Sequence, residues 1–260
     1  MTNVFQIRND ANKVVVDGSH MVPQFIGKIV TKDDNIRSQQ GAEQGFQSRS
    51  YSGLAPDFGG RDVIIFWTLP PDVWWYIPSP FMNAGASGTP NAGMFALCSP
   101  GASISGVPEG YVFALGHVNH SGVNPALRTW DPNSGKLLFD SGALHLAIEG
   151  IGSNVSYPYG WDRNVGLGIG GKRAFLVPNV TRHAEQFDGY LNSENGLATA
   201  QNWLGVVKSS GGAVYTRMLL AYDVEAPPSN PGSRAGYNED QTSGNTDGLL
   251  MPMINASLYD

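Results

Sequence analysis

The sequence predicts an all-β protein of β-sandwich-like architecture. Three observations carry that expectation. Turn-forming residues abound, with 33 Gly, 17 Pro and many Asn and Ser. Short β-branched or aromatic runs recur between them, and amphipathic helical patterns are scarce. At 260 residues the chain can bury a core without disulfides or metals, either as one large β unit or as two smaller ones.

The opening VFQIRNDANKVVVDGS reads as a hairpin: a strand at residues 4–8, a polar turn at 9–12, and a second strand at 14–16 closed by Asp17 and Gly18. The stretch ALRTWDPNSGKLLFDSG repeats the plan, with strands at 127–130 and 136–139 around a turn at 131–135. Self-similarity at a spacing of about 120 residues is what two related halves produce. Two unrelated hairpins obeying the same turn chemistry would look alike too, so both readings stay open. Between the hairpins lie RDVIIFWTL (61–69), DVWWYI (72–77), GMFALCS (93–99) and GYVFALGHV (110–118), each a strand-like run fenced by Pro or Gly. LHLAIEGI (144–151), RAFLVPNV (173–180), NWLGVVKS (202–209) and AVYTRMLLAYDVE (213–225) follow in the same style. The one helix candidate is SENGLATAQNWL (193–204), which has a Ser at its cap position but a Gly in its first turns.

These signals divide the chain into a β-sandwich-like lobe at 1–120, a second lobe with the related hairpin at 121–225, and a Pro/Gly-rich linker with an extended C-terminal arm at 226–260. The arm ends in LLMPMINASLY, whose Leu249, Leu250, Met251, Met253, Ile254, Leu258 and Tyr259 would be wasted on a disordered tail. The arm is therefore expected to dock, on its own core or on a neighbouring subunit as an added strand.

A net charge of −6 with no Lys/Arg run speaks against nucleic-acid binding. No basic segment followed by an apolar one opens the sequence, and no run of 18 apolar residues occurs, so the expectation is a protein made in a cytoplasm without membrane insertion. The Asn-x-Ser/Thr sequons at Asn119, Asn154, Asn179 and Asn255 are then chance matches. The single cysteine, Cys98, sits among apolar neighbours as a small buried hydrophobe.

The motifs that look chemical fail on context. Gly166, Gly168 and Gly171 fit a dinucleotide fingerprint, and Gly166, Gly171 and Lys172 begin a phosphate-binding loop, but Arg173 replaces the required Ser or Thr and a strand follows instead of a helix. A glycine-rich turn or bulged strand is the simpler reading. His117 and His120 share a metal only on a helix, whereas Gly116 and Gly122 argue for strand and turn; His20, His145 and His183 have no ligand cluster around them. Neither a cofactor nor a metal is expected. No nucleophile elbow occurs, and Asp62, Asp72, Glu109 and Glu149, the carboxylates a glycosidase would need in pairs, read as turn or surface residues. The chain reads as a protein without catalysis.

The aromatic clusters are the remaining candidates for binding. In PPDVWWYIPSPF, Trp74, Trp75, Tyr76 and Phe81 crowd between prolines, and adjacent tryptophans on a strand must point to opposite faces. Tyr157, Tyr159 and Trp161 form a second group. Each group is open to three readings: burial in the core, a subunit interface, or a sugar-stacking platform.

The first hairpin, with Lys13 to Ser19 reading KVVVDGS and then Gly27-Lys28, resembles the opening of small virion proteins encoded beside the tail-tip genes of long-tailed bacteriophages. The second copy, with KLLFDS at Lys136 to Ser141, matches a phrase that recurs in them. The resemblance covers about 30 residues and leaves the C-terminal arm unmatched. It implies a structural component of a tail tip or fibre, located in the virion, partnered by other virion proteins and by itself, with no enzymatic residues. The alternative is a carbohydrate-binding module that meets a cell-surface glycan through the exposed aromatics.

Overall fold

In the computed structural model, the described residues are 6–8, 14–17, 22–37, 47–54, 61–77, 81–82, 91–98, 104–116, 119, 121–122, 127–131, 133–168, 170–178, 181–186, 198–226, 238–243 and 249–260. They form an all-β, sandwich-like fold of antiparallel strands.

Both expected hairpins form, and they match pair for pair. Strands β1 (Gln6–Arg8) and β2 (Val14–Asp17) pair Gln6 with Asp17, Ile7 with Val16 and, after a register shift, Arg8 with Val14. The hairpin at the middle of the chain pairs Arg128 with Asp140, Thr129 with Phe139 and, after the same shift, Trp130 with Leu137.

The likeness extends far beyond the hairpins. After the first come β3 (Gln24–Arg37), β4 (Gln47–Leu54), β5 (Val63–Thr68), β6 (Trp74–Tyr76), the short β7 (Phe81–Met82), β8 (Asn91–Cys98) and β9 (Glu109–Ala114). The second hairpin is β10 (Arg128–Trp130) with β11 (Leu137–Asp140). After it come β12 (Ile148–Val155), β13 (Arg163–Gly168), β14 (Arg173–Phe175), β15 (Thr181–Gln186), β16 (Ala198–Ser210), β17 (Ala213–Ala226), β18 (Asn238–Ser243) and β19 (Leu249–Asn255), closed by a 3-10 turn at Ala256–Tyr259. One layer has the order β12-β19-β14-β5-β9-β3. The other runs β4-β8-β6-β16-β17-β13, reading across the pairings of β16 and β17. Both orders are palindromes if β3 corresponds to β12, β4 to β13, β5 to β14, β6 to β16, β8 to β17 and β9 to β19. That correspondence also follows chain order, the pattern a tandem duplication about an approximate two-fold axis gives, although β3 runs on to pair β4 whereas among the described residues β12 pairs with β19 alone.

The registers obey the same axis. Phe25 opposite Phe113 and Lys28 opposite Tyr111 in one half match Ile148 opposite Ile254 and Ile151 opposite Pro252 in the other. Each strand pair has a bulge at the same place, between Phe25 and Gly27 and between Ile148 and Gly150, and β12–β19 has a second register shift between Gly152 and Val155. The bulge at Gly27 needs a φ of 147°, which glycine adopts without strain. The bond Leu115 N–H to Asp62 O (2.7 Å) recurs as Ala256 N–H to Lys172 O (3.0 Å). On the axis Phe175 faces Trp67 in one layer, and Val207 faces Trp75 in the other. The segments after the two hairpins also meet there, through Phe25 N–H to Leu144 O and Leu146 N–H to Pro23 O, both 2.8 Å.

Because equivalent strands pair with each other on the axis, the two related stretches do not stand apart as lobes; each layer belongs to both. The second copy runs through β19, the counterpart of β9, so the C-terminal arm is an internal strand between β12 and β14. It docks in cis: Met251 and Ile254 are fully buried and Met253 and Tyr259 nearly so. The helix expected at 193–204 does not form where the structure is described. From Ala198 onward this stretch is β16, which pairs with β17 along one edge and with β15 and β6 along the other. A marginal helix cannot compete with that many ladder bonds. Strands β15 and β18 are additions to the second copy that extend the ladder beyond β16.

The apolar alternation fills both sides of the first layer. Val63, Ile65 and Trp67 of β5 enter the core between the layers together with Trp75, Val207, Met218 and Met251. Ile64 and Phe66 point to the opposite side, against Tyr111, Phe113, Ile254 and Tyr259. Gly110 is required beside Trp67, since a Cβ there would lie 2.9 Å from both the indole and Ile29.

Candidate functional site

The first aromatic cluster is structural. Trp75 is fully buried between the layers and donates its indole N–H to Pro70 O at 3.1 Å. Trp74 and Tyr76 point to the other face, as adjacent strand residues must, and pack against Val206 and Leu219. The Lys208 ammonium lies 4.3 Å from the centre of the Trp74 ring. All three are covered by the chain itself, which favours core burial and leaves no stacking surface there. Phe81 begins β7 opposite Ile64.

The second cluster splits. Tyr157 is buried and donates to Pro178 O at 3.0 Å, and burial raises its pKa. Tyr159 packs edge-on against Trp203 at 4.9 Å and stays 39% exposed, and Trp161 is 54% exposed. Next to it Asp162 is held by Lys208 at 3.0 Å and Arg217 at 3.8 Å.

The glycine motif is the bulged strand expected: β13 shifts register between Asn164 and Gly168, Gly166 N–H donates to Asn164 Oδ1 at 2.8 Å, and β14 follows. His145 is a structural residue, with Nε2 2.8 Å from Asp140 O and its ring stacked on Phe139 at 4.7 Å. His183 lies on β15. Cys98 ends β8. His20, His117 and His120, and the Cys98 side chain, fall outside what is described. Among the described residues no group of three His, Cys, Asp or Glu is placed to hold a metal. No helix among them is long and apolar enough to cross a membrane.

Two charged assemblies were not visible in the sequence. Asp140, the last residue of the second hairpin, is fully buried. Burial alone would raise its pKa. Bonds from Ser121 N–H, Gly142 N–H, the Arg128 guanidinium and the Ser121 hydroxyl, at 2.8–3.2 Å, outweigh that and lower it to about 2. The carboxylate is a tie between the hairpin and the chain before it.

The second assembly lies where the C-terminal turn lands on β3 and β9. Lys28 reaches Asp260 at 2.5 Å, and Lys172 bridges Glu109 at 2.6 Å and Asp260 at 2.9 Å. The Tyr111 hydroxyl donates to Asp260 Oδ1 at 2.9 Å. Lys28, the largest influence, together with Lys172 and Tyr111, lowers the Asp260 carboxyl to about 2. Tyr111 is pushed up, by burial first and then by the two carboxylates. Burial disfavours the Lys172 ammonium, but bonds to Glu109, Tyr111 and Asp260 more than compensate, and its pKa rises. What the network does is fix the C-terminal turn. Tyr259 assists, packing on Phe25 at 5.1 Å and Phe113 at 5.0 Å while its hydroxyl accepts from Ala147 N–H and donates to His145 O.

The duplication places a very different surface at the equivalent point of the other half. Lys28, Tyr111 and Glu109 correspond to Ile151, Pro252 and Leu250 by register. Ile148, the counterpart of Phe25, is 50% exposed, Ile151 52% and Leu250 58%. These three share the outer face of the first layer, at its β12 edge. Glu149 between them is neutralised by Arg173 at 2.9 Å. Ile148, Ile151 and Leu250 thus form an exposed aliphatic group on the sheet, beside the β12 edge. Compared with known proteins, the chain matches no family model, no curated protein and no solved structure.

Proposed function

We propose that this chain is a structural component of a bacteriophage virion, at the tail tip or fibre, made in the host cytoplasm and working through assembly contacts with itself and with other virion proteins. The observation that carries the reading is the aliphatic face at Ile148, Ile151 and Leu250, exposed on a β framework in which Asp140 and the Asp260 cluster are paired with cations of the same chain. The resemblance of the two hairpins to tail-tip-associated proteins agrees with it. So does the repeated strand order, which builds a sandwich of antiparallel strands with broad faces for contacts. Host-surface contact, through a glycan, would fall to Trp161 and Tyr159, which among the described side chains of the aromatic groups keep substantial exposure.

Antibody raised against the purified chain should label intact particles at one end of the tail in electron micrographs. Label found only in cell debris, with bare particles, would overturn the assignment. On the same particles Trp161→Ala should lower adsorption to cells while labelling persists; unchanged adsorption would remove the glycan contact from the reading.

A further inference from the structure

The two halves share backbone, bulge and register at the β3–β9 and β12–β19 edges, yet one edge carries an ion network and the other exposed aliphatics. In the first half the C-terminal turn covers the site. In the second, Ile148, Ile151 and Leu250 face water, an arrangement with no benefit to an isolated chain. We propose that a second copy of this chain covers them, with the two β12 strands antiparallel across a two-fold axis beside Ile151. The inference rests on the assembly reading and names its first partner.

Self-complementarity selects this occupant. β12 has a strand partner, β19, on one edge, and among the described residues no strand pairs with its other edge. An antiparallel copy centred on Ile151 sets Ile151 against Ile151, Gly150 against Gly152, and Glu149 against Ser153 of the other copy. No like charges meet, although the whole chain carries −6, because Glu149 keeps its Arg173 partner. Gly150 and Gly152 point into the sandwich towards Met253 and Leu167, so on the outer face the pairing gathers the aliphatic side chains of both copies. A contact in which one patch meets itself closes as a dimer and leaves no open end for fibre growth.

The test is the mass of the full chain in solution by light scattering. Wild type should show twice the 27.8 kDa of one chain, and Ile151→Lys with Leu250→Glu, which installs the residues of the equivalent positions, should halve that mass with an unchanged melting temperature for the monomer. Lys28→Ile with Glu109→Leu, on the other half, should leave the dimer intact. As a measurement that does not depend on how the charged variant folds, Ile151→Cys should give a disulfide-linked dimer on mild oxidation, whereas wild type, with Cys98 alone, should not. A wild-type monomer at every concentration reached, a charged variant that stays dimeric, or an Ile151→Cys variant that forms no cross-link would each overturn the proposal. None of these outcomes affects particle labelling, which tests the assembly reading separately.

Discussion

At the edge built on β3 and β9, Lys28, Glu109 and Tyr111 meet Lys172 and Asp260; at the equivalent edge on β12 and β19, Ile151, Leu250 and Pro252 meet no such group among the described residues. The backbones agree in register from the first pair through the shared bulge to Ile29 and Gly152, so this part of the fold does not require either chemistry. Register decides which residue stands at a place, and burial decides whether it must be apolar. On these half-exposed faces the second constraint is relaxed, and each half has used the position for a different contact. The first holds the chain's own C-terminal turn. The paired charges there are each about a third exposed, so each contributes roughly 0–1 kcal/mol and serves more to place the turn than to stabilise the whole.

The strongest way to break the equivalence is to remove β19. Truncation after residue 248 takes the middle strand from between β12 and β14 and strips Met251, Ile254 and Tyr259 from the core. The expected outcome is loss of cooperative folding, read by thermal melting. A remainder that still melts cooperatively would show that the second half does not depend on its last strand as its partner depends on β9.

A smaller effect tests the hairpins. Asp140→Ala removes the carboxylate that Ser121 N–H, Gly142 N–H and Arg128 share and should cost about 2–4 kcal/mol in denaturant unfolding. The native carboxyl titrates at about 2 against an ordinary 3.8. Its stabilisation is therefore complete above about pH 4 and is lost as the pH falls towards 2, and the variant should lack that acid-dependent component. Asp17 occupies the same register position in the first hairpin. A loss of similar size for Asp17→Ala would extend the equivalence from backbone to side chain, and a negligible loss would end it there.

The smallest effect belongs to the ion network. Lys28→Ile with Glu109→Leu should change stability by less than about 1 kcal/mol, while weakening the dependence of stability on salt. A larger loss would mean that charge, and not Tyr259, anchors the C-terminal turn.

Much of the framework was legible in the sequence because it depends on local chemistry. The turns after Arg8 and Trp130 use Asn, Asp, Ser and Gly, and the runs around Ile65 and Val112 are β-branched and fenced, so hairpins and central strands declare themselves. The repeat is visible only in its hairpins. Elsewhere the copies share pairing but little sequence: Trp67 corresponds to Val177, and Lys28 to Ile151. The apolar arm declares that it docks, but its place between β12 and β14 depends on partners about 100 residues earlier, which no local pattern encodes. Residues 198–204 read as a helix because their local propensity carries no trace of the three strands that flank β16. Of the candidate site, the exposed Trp161 and Tyr159 are legible as an aromatic cluster, whereas the network at Asp260 unites residues from opposite ends of the chain.

The interleaving has a consequence for biosynthesis. Once residue 114 has left the ribosome, β3, β9 and β5 are all available as neighbours, and the first half of that layer can pair. Strand β12 emerges by residue 155 but has no partner until β19 follows, roughly 5–20 s later at the usual rates of chain growth. During that interval an aliphatic strand with both edges open is displayed on the nascent chain, and where many copies are made together this is the interval in which neighbouring chains can capture one another wrongly.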